Sequence, residues 1–248
     1  MTGTVLLTAT VRPNTTMYVT QHDPDARREQ YRHAISTWAT QLEGTPFGLT
    51  VVETSGATAT ELLSSVDPRL RHRIRVVQYD PSESDASRGK GRLEADAIAH
   101  GIAAIERDSG PDQSIYKSTG RLVLRNARRL VLPIPHDAVR VRMALDRSFA
   151  DTRFVGAGAL TWRRVLLADA VAIDEQAGIY FEHVLAGAVA RSAALQQIRI
   201  ERFGERPNFD GQSGSTGRRY RRGLVSAVPA LSLLAERGLA GLASRKQA

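Results

Sequence analysis

The sequence predicts an α/β protein: a single domain with a mostly parallel central sheet flanked by helices. Three observations carry that expectation. Short apolar, β-branched runs alternate with helical stretches through the first half of the chain. Gly, Pro, Asn and Asp punctuate the boundaries between them. A length of 248 residues, with 42% apolar and 24% charged residues, suits one large globular unit and not a disordered chain.

Taken in order, residues 4–11 (TVLLTATV) form an apolar run stopped by Arg12-Pro13-Asn14, which predicts a buried strand. Asp23-Pro24-Asp25 has Asp at a helix cap and Pro in the first turn. The helix it starts carries Tyr31, Ile35, Trp38 and Leu42 on one face and stops at Gly44-Thr45-Pro46. A second strand is expected at 47–52, a helix near 60–66 and a third strand at 74–79. Polar residues 80–88 form a loop, and Gly89-Lys90-Gly91 opens a long helix through Glu106. Residues 114–124 hold a fourth strand and a turn. Ligands of such a sheet gather at the carboxyl ends of its strands, where the turns at 12–14, 53–56 and 117–121 should fall. The second half is less regular: a strand within 152–160, a short helix at 162–167, a helix over 178–191, a strand within 197–203, a flexible loop at 211–217 and a helical end.

Composition excludes several classes. There is no cysteine, hence no disulfide framework, thiolate nucleophile or Cys-based zinc site. No apolar run approaches the roughly 20 residues of a membrane span, and the stretch 224–235 is short and contains Pro229. The first residues read as a strand and not as a leader, so a cytoplasmic location is expected, at most peripheral to the inner membrane face. The net charge of +8 is unevenly placed: from Arg218 onward stand seven basic residues and one acid, Glu236. A local anion site follows more readily than a uniformly cationic surface. Only three of the 34 basic residues are lysines, and two of these, Lys90 and Lys117, lie in glycine-containing turn motifs.

Four motifs could carry chemistry. Around Gly89-Lys90-Gly91, glycines let backbone N–H groups approach an anion at a helix N-terminus; neither the P-loop spacing nor the dinucleotide fingerprint is present, and a plain helix start explains the letters equally well. Lys117-Ser118-Thr119-Gly120-Arg121 could set two cations on a diphosphate, or be a surface hairpin. From Asp174-Glu175 to Glu182-His183, carboxylates stand among aromatic residues, where one could act as a general base or simply favour a helix N-terminus. Ser213-Gly214-Ser215-Thr216-Gly217 followed by Arg218, Arg219, Arg221 and Arg222 suits an anion clamp or a basic tail.

As an ordered series these segments resemble a family of bacterial glycosyltransferases found among surface-polysaccharide enzymes. Leu7-Thr8-Ala9-Thr10 and the 23–31 segment look like its first strand and helix. Glu53-Thr54-Ser55-Gly56 is similar to its Glu-Asn-Ser-Gly turn, Gly89-Lys90-Gly91 with Glu94 to its Gly-Lys-Gly-x-x-Glu helix start, and residues 117–121 to its Lys-x-Thr-Gly-Arg turn. Asp151-Thr152-Arg153-Phe154, Glu182-His183 and residues 213–217 complete the series. The resemblance implies a GT-A-like, Rossmann-like domain over 1–222, followed by a basic helical segment over 223–248. It also implies transfer of a sugar from a nucleotide-sugar donor to a glycan or lipid-linked oligosaccharide. On that reading Thr8, Thr10, Arg12, Glu53, Ser55 and Gly56 meet the nucleotide. Lys90, Gly91, Glu94, Lys117, Thr119, Gly120, Arg121, Ser213, Ser215, Arg218 and Arg219 meet phosphates or donor sugar. Glu182 is the candidate base, with His183 and Asp151 beside it in the catalytic set.

Many GT-A enzymes hold a divalent metal with Asp-x-Asp near the end of the fourth strand, where this chain has Lys-Ser-Thr-Gly-Arg. The expectation is therefore metal independence and no prosthetic group, with Asp151 or Asp174 as ligands if a metal is used after all. Two rival functions remain open at this point. One is a glycosyltransferase acting on modified bases in DNA, held through the basic segment. The other is a non-catalytic nucleic-acid-binding protein, against which stands the absence of any standard binding motif.

Overall fold

The computed structural model describes residues 3–13, 21–212 and 219–220. Its elements run β1 (Gly3–Ala9), α1 (Pro24–Leu42), β2 (Phe47–Glu53), α2 (Ala59–Leu63), β3 (Ile74–Gln78), α3 (Lys90–Ser109), β4 (Ser114–Thr119), β5 (Leu122–Leu124), α4 (Ala127–Leu130), β6 (Ala138–Arg140), β7 (Phe154–Gly158), α5 (Ala159–Thr161), α6 (Phe181–Ala194), β8 (Arg199–Glu201), β9 (Phe209–Gln212) and β10 (Arg219–Tyr220). Seven strands form the central sheet in the order β3-β2-β1-β4-β7-β6-β8. Parallel pairing joins β1, β2, β3 and β4, and β6 with β8; β7 alone runs against its neighbours β4 and β6. The α/β class with a mostly parallel sheet flanked by helices is thus what the structure shows, and β7 amends it by one reversed strand.

Alternation along the strands divides the core. Val5, Leu7 and Ala9 pack with α1 residues Tyr31, Ile35, Trp38 and Leu42 on one face. Leu6 and Val52 pack with α3 residues Ala95, Ile98 and Ile102 on the other. The predicted cap of α1 forms, with the Asp23 carboxylate accepting from the Asp25 N–H at 3.0 Å and Pro24 in the first turn. Trp38 satisfies its buried indole N–H on the Leu122 carbonyl at 2.9 Å.

The register aligns the strand ends that matter. Ala9 lies opposite Glu53, and Thr8 opposite Thr119, so the turns after β1, β2 and β4 share one edge of the sheet, as expected. Gly120 fits there because it has no side chain: a Cβ would stand 1.9 Å from the Thr8 carbonyl oxygen and 3.0 Å from the Tyr31 ring. Backbone cannot yield as a flexible side chain can. Gly120→Ala should therefore cost about 3 kcal/mol of stability, seen as a lower urea midpoint; an unchanged midpoint would show that this edge is looser than described.

Elsewhere pairing amends the expectations. The strand expected over 4–11 ends at Ala9, whose carbonyl accepts the Thr54 N–H. Residues 114–124 split between β4 and β5, and β5 belongs to a second, three-stranded sheet with β9 and β10. Gly211 and Gln212, expected in a flexible loop, are the end of β9. The rest of that loop (213–217) and the helical end expected after 222 lie outside the described residues. Among the described residues no helix is long and apolar enough to cross a membrane.

Candidate active site

Over the carboxyl ends of β1 and β4 opens a cavity of about 820 Å³, its mouth included. Seven of the expected donor residues line it: Thr8, Thr10, Lys90, Glu94, Thr119, Gly120 and Arg121. Two more lining residues, Arg27 and Tyr31, come from α1 and were not among the expected site residues.

The wall nearest α1 is cationic. Arg121 is 7% exposed and Arg27 5% exposed. Arg27 is held by neutral groups: Nε and Nη2 donate to the Thr10 carbonyl at 2.7 and 2.5 Å, Nη1 to the Gln21 carbonyl at 3.2 Å, and Nη2 to the Tyr31 hydroxyl at 3.3 Å. Arg121 donates from Nη1 to Gln30 Oε1 at 2.8 Å. Among the described residues neither guanidinium has a carboxylate within ion-pair distance, although the protein forms many such pairs elsewhere. Burial pushes the Arg121 guanidinium below its ordinary value; neighbouring Arg27 adds to the fall and Tyr31 opposes it. Two nearly buried, unneutralised cations facing one cavity cost free energy until an anion arrives.

The wall nearest α3 is different. Glu94 lines the cavity and pairs with Lys117, Nζ to Oε1 at 2.7 Å. Burial pushes the Glu94 carboxyl up, but Lys117, then Lys90, and hydrogen bonds from Lys117 and Thr8 hold it below its ordinary value. Lys117 itself is 1% exposed, does not line the cavity, and also donates to the Thr152 carbonyl at 2.8 Å.

The glycines at the start of α3 have a local explanation. The Glu175 carboxylate accepts from the Lys90 N–H at 3.0 Å and from the Gly91 N–H at 2.9 Å, so the anion at this helix N-terminus belongs to the protein. A Cβ on Gly89 or Gly91 would come within 2.5 or 2.8 Å of a Glu175 oxygen, and Gly89 has φ +99°. Burial pushes the Glu175 carboxyl up; the two amides and Lys90 oppose this, Glu182 adds repulsion, and the net direction is upward. A carboxyl raised in the folded state contributes stability that is complete below its unfolded value and is lost as pH rises through its folded value. Glu94, lowered, is fully ionised above that window. The Tm advantage of the wild type over Glu175→Gln should therefore grow as pH falls from about 7 to about 5. Parallel Tm curves for the two proteins would contradict this account of the contact.

Glu53 organises the turn after β2 and does not face the cavity. It is fully buried, and it accepts from the Ser55 N–H, the Ala57 N–H and the Ser55 hydroxyl at 2.8, 2.9 and 2.5 Å. Ser55 Oγ in turn accepts the Arg12 N–H at 3.0 Å, the Thr10 and Thr54 hydroxyls meet at 2.6 Å, and Arg12 pairs with Glu61. Gly56, at φ +77°, completes that turn. Glu182 lies at the start of α6, half-buried, with Oε1 accepting from the Thr152 hydroxyl at 2.8 Å. The exposed rings of Phe149 and Tyr180 stand 6.1 and 5.5 Å from the His183 ring. Asp151 is forked onto Arg153 at 2.7 and 2.6 Å, with Arg142 at 3.6 Å. Ser213, Ser215 and Arg218 lie outside the described residues, and Arg219 pairs with Gln212 in β10. Among the described residues no group of three or more His, Asp or Glu side chains forms a metal-ligating cluster.

No protein-family model and no curated protein sequence matches the chain. Solved structures do. The galactosyltransferase LgtC, solved with donor and acceptor sugar analogues, is 8% identical, with 75% of this chain and 70% of that one covered at a TM-score of 0.47. Mouse xyloside xylosyltransferase 1 is 11% identical, covering 80% and 84% at 0.46. A nucleoside-diphosphate-sugar pyrophosphorylase from Vibrio cholerae is 11% identical, covering 81% and 91% at 0.43. At these values the likeness concerns the path of the chain, and no activity is taken from it.

Proposed function

We propose that this protein is a glycosyltransferase that moves a sugar from a nucleotide-sugar donor, its diphosphate seated on Arg121 and Arg27, to an acceptor hydroxyl. The observation that carries the reading is the pair of nearly buried guanidiniums lining one cavity, neither with a carboxylate within ion-pair distance among the described residues. A diphosphate supplies the missing negative charge and can accept several charge-assisted hydrogen bonds. The same cations would stabilise the charge that develops on the leaving phosphate as the sugar–oxygen bond breaks. Thr8, Thr10 and Glu94 supply hydroxyl and carboxylate partners for the polar edges of the donor.

Glu182 is the candidate base. In an inverting transfer its carboxylate takes the proton of the acceptor hydroxyl while that oxygen bonds to the anomeric carbon and the nucleoside diphosphate leaves. The exposed rings of Phe149 and Tyr180 near His183 offer the acceptor an apolar approach. The ordered motifs favour a glycan or lipid-linked oligosaccharide as acceptor, in a cytoplasmic enzyme of surface-polysaccharide synthesis. Metal independence goes with this reading: Arg121 lines the cavity beyond the end of β4, and Glu94, the carboxylate among its lining residues, is already paired with Lys117. Calorimetry with a panel of nucleoside diphosphates and their sugars, with and without chelator, tests the proposal. One nucleoside diphosphate and its sugar should bind, equally well in chelator. Binding of none, or binding only with Mg²⁺ or Mn²⁺, would overturn it.

A further inference from the structure

Lys117 has the chemistry of a phosphate ligand but not the position of one. It lies on a central strand, 1% exposed, under the start of α6, with its ammonium 6.0 Å from the Phe181 ring centroid. Its hydrogen bonds go to the Glu94 carboxylate at 2.7 Å and to the Thr152 carbonyl at 2.8 Å. Thr152 is buried, and its side-chain hydroxyl donates to Glu182 Oε1 at 2.8 Å. One residue is therefore gripped by Lys117 through its carbonyl and grips Glu182 through its hydroxyl. At the other end Glu94 reaches the cavity, which Thr8 also lines.

We infer that Lys117 is a positioning residue, which through Thr152 ties the cavity carboxylate Glu94 to Glu182 in one hydrogen-bonded chain. The inference rests on the reading of Glu182 as base; the chain itself does not. A compact ammonium on a rigid strand suits this task. It can satisfy a carboxylate and a carbonyl in different directions, and burial strengthens both contacts while making an unpaired charge costly. The functional consequence is geometric. If the 151–153 turn relaxes, Glu182 loses its hydroxyl partner and its placement, whereas the guanidiniums of Arg27 and Arg121 are untouched.

The chain is read first without any substrate. Only three lysines occur in the sequence, so ¹⁵N labelling of lysine gives three side-chain signals. The Lys117 ammonium should exchange its protons slowly, and its signal should shift in both Glu94→Gln and Thr152→Val. Fast exchange, or indifference to both substitutions, overturns the chain whatever the protein's activity. Turnover then tests its purpose, with the hydrolysis of the bound nucleotide-sugar as readout. Thr152→Val keeps the carbonyl and the shape; it should lower kcat roughly 10- to 100-fold with donor KM within about threefold, and Thr152→Ser should restore kcat. Full turnover by the Val variant, or no rescue by Ser, overturns the inference. Because Lys117→Met alone leaves Glu94 buried and unpaired, the double variant Lys117→Met/Glu94→Gln is used for binding. It should hold nucleoside diphosphate within about threefold of Glu94→Gln alone, and a further loss of tenfold or more would return Lys117 to the phosphates. A wild type that binds no nucleotide at all refutes the proposed function, while the exchange data still judge the chain.

Discussion

Arg121→Met is expected to weaken nucleoside-diphosphate binding by roughly 10- to 100-fold, the scale of one or two hydrogen bonds to a charged group, without destabilising the protein. The two halves of this expectation have one cause. The Arg121 guanidinium is nearly buried, accepts no help from a carboxylate among the described residues, and has like charge on Arg27 nearby. Methionine keeps the length and apolar stem of the side chain and removes a charge that no carboxylate among the described residues compensates, so Tm should hold or rise. Most substitutions of buried residues behave oppositely, losing stability first and function as a consequence. A variant that unfolds while its affinity is retained would show Arg121 to be a structural ion. Arg27→Met should weaken binding too, but at a cost in stability, because Arg27 also ties α1 to the Thr10 and Gln21 carbonyls.

Glu182→Gln should leave donor affinity and Tm close to wild type while transfer falls by about 10²-fold or more, the usual scale for losing a general base. Glutamine preserves the acceptor oxygen that the Thr152 hydroxyl uses and abolishes the ability to take a proton. The competing reading is that Glu182 only favours the N-terminus of α6, worth about 0.3–1 kcal/mol. That reading predicts a small loss of Tm and normal transfer. His183→Ala should do less than Glu182→Gln: His183 stands between the Phe149 and Tyr180 rings and accepts the Tyr180 N–H on Nδ1 at 3.4 Å, which places it to orient an acceptor. Asp151 is already forked onto Arg153, a poor state for a base, and substitution there should disturb the turn that carries Thr152.

Much of the frame was legible because it depends on local periodicity. The inward face of α1, the long helix α3, the strands β1, β2 and β3, and the placing of three turns at one sheet edge follow from spacing and turn residues alone. What was hidden depends on pairing at long range. β5 and β6 are each three residues long, too short for any period to show, and only their partners make them strands; β8, equally short, does lie within the strand expected over 197–203. The reversal of β7 is likewise a property of its neighbours. In the site, Arg121 stood in a recognisable turn and Glu94 in a recognisable helix start, whereas Arg27 carried only a faint signal: a charged residue four positions before Tyr31, on the helix face that goes inward. Gly89-Lys90-Gly91 looked ready for a ligand's anion because nothing local announces Glu175, which arrives from 85 residues away. Lys117 looked like its equal among lysines in glycine turns, yet strand alternation carries its side chain under α6 and out of the cavity.

The central claim, that the arginine-lined cavity holds a nucleotide-sugar for cleavage at the sugar–phosphate bond, is tested most directly by following the phosphorus. The protein is incubated with the nucleotide-sugar it binds, and products are identified by ³¹P NMR. The account predicts nucleoside diphosphate as the sole phosphorus product, formed slowly with water as acceptor, unaffected by chelator and lost in Arg121→Met. Nucleoside monophosphate with sugar phosphate would place the break between the two phosphorus atoms and contradict it, as would an untouched donor in the presence of a full panel of glycan acceptors.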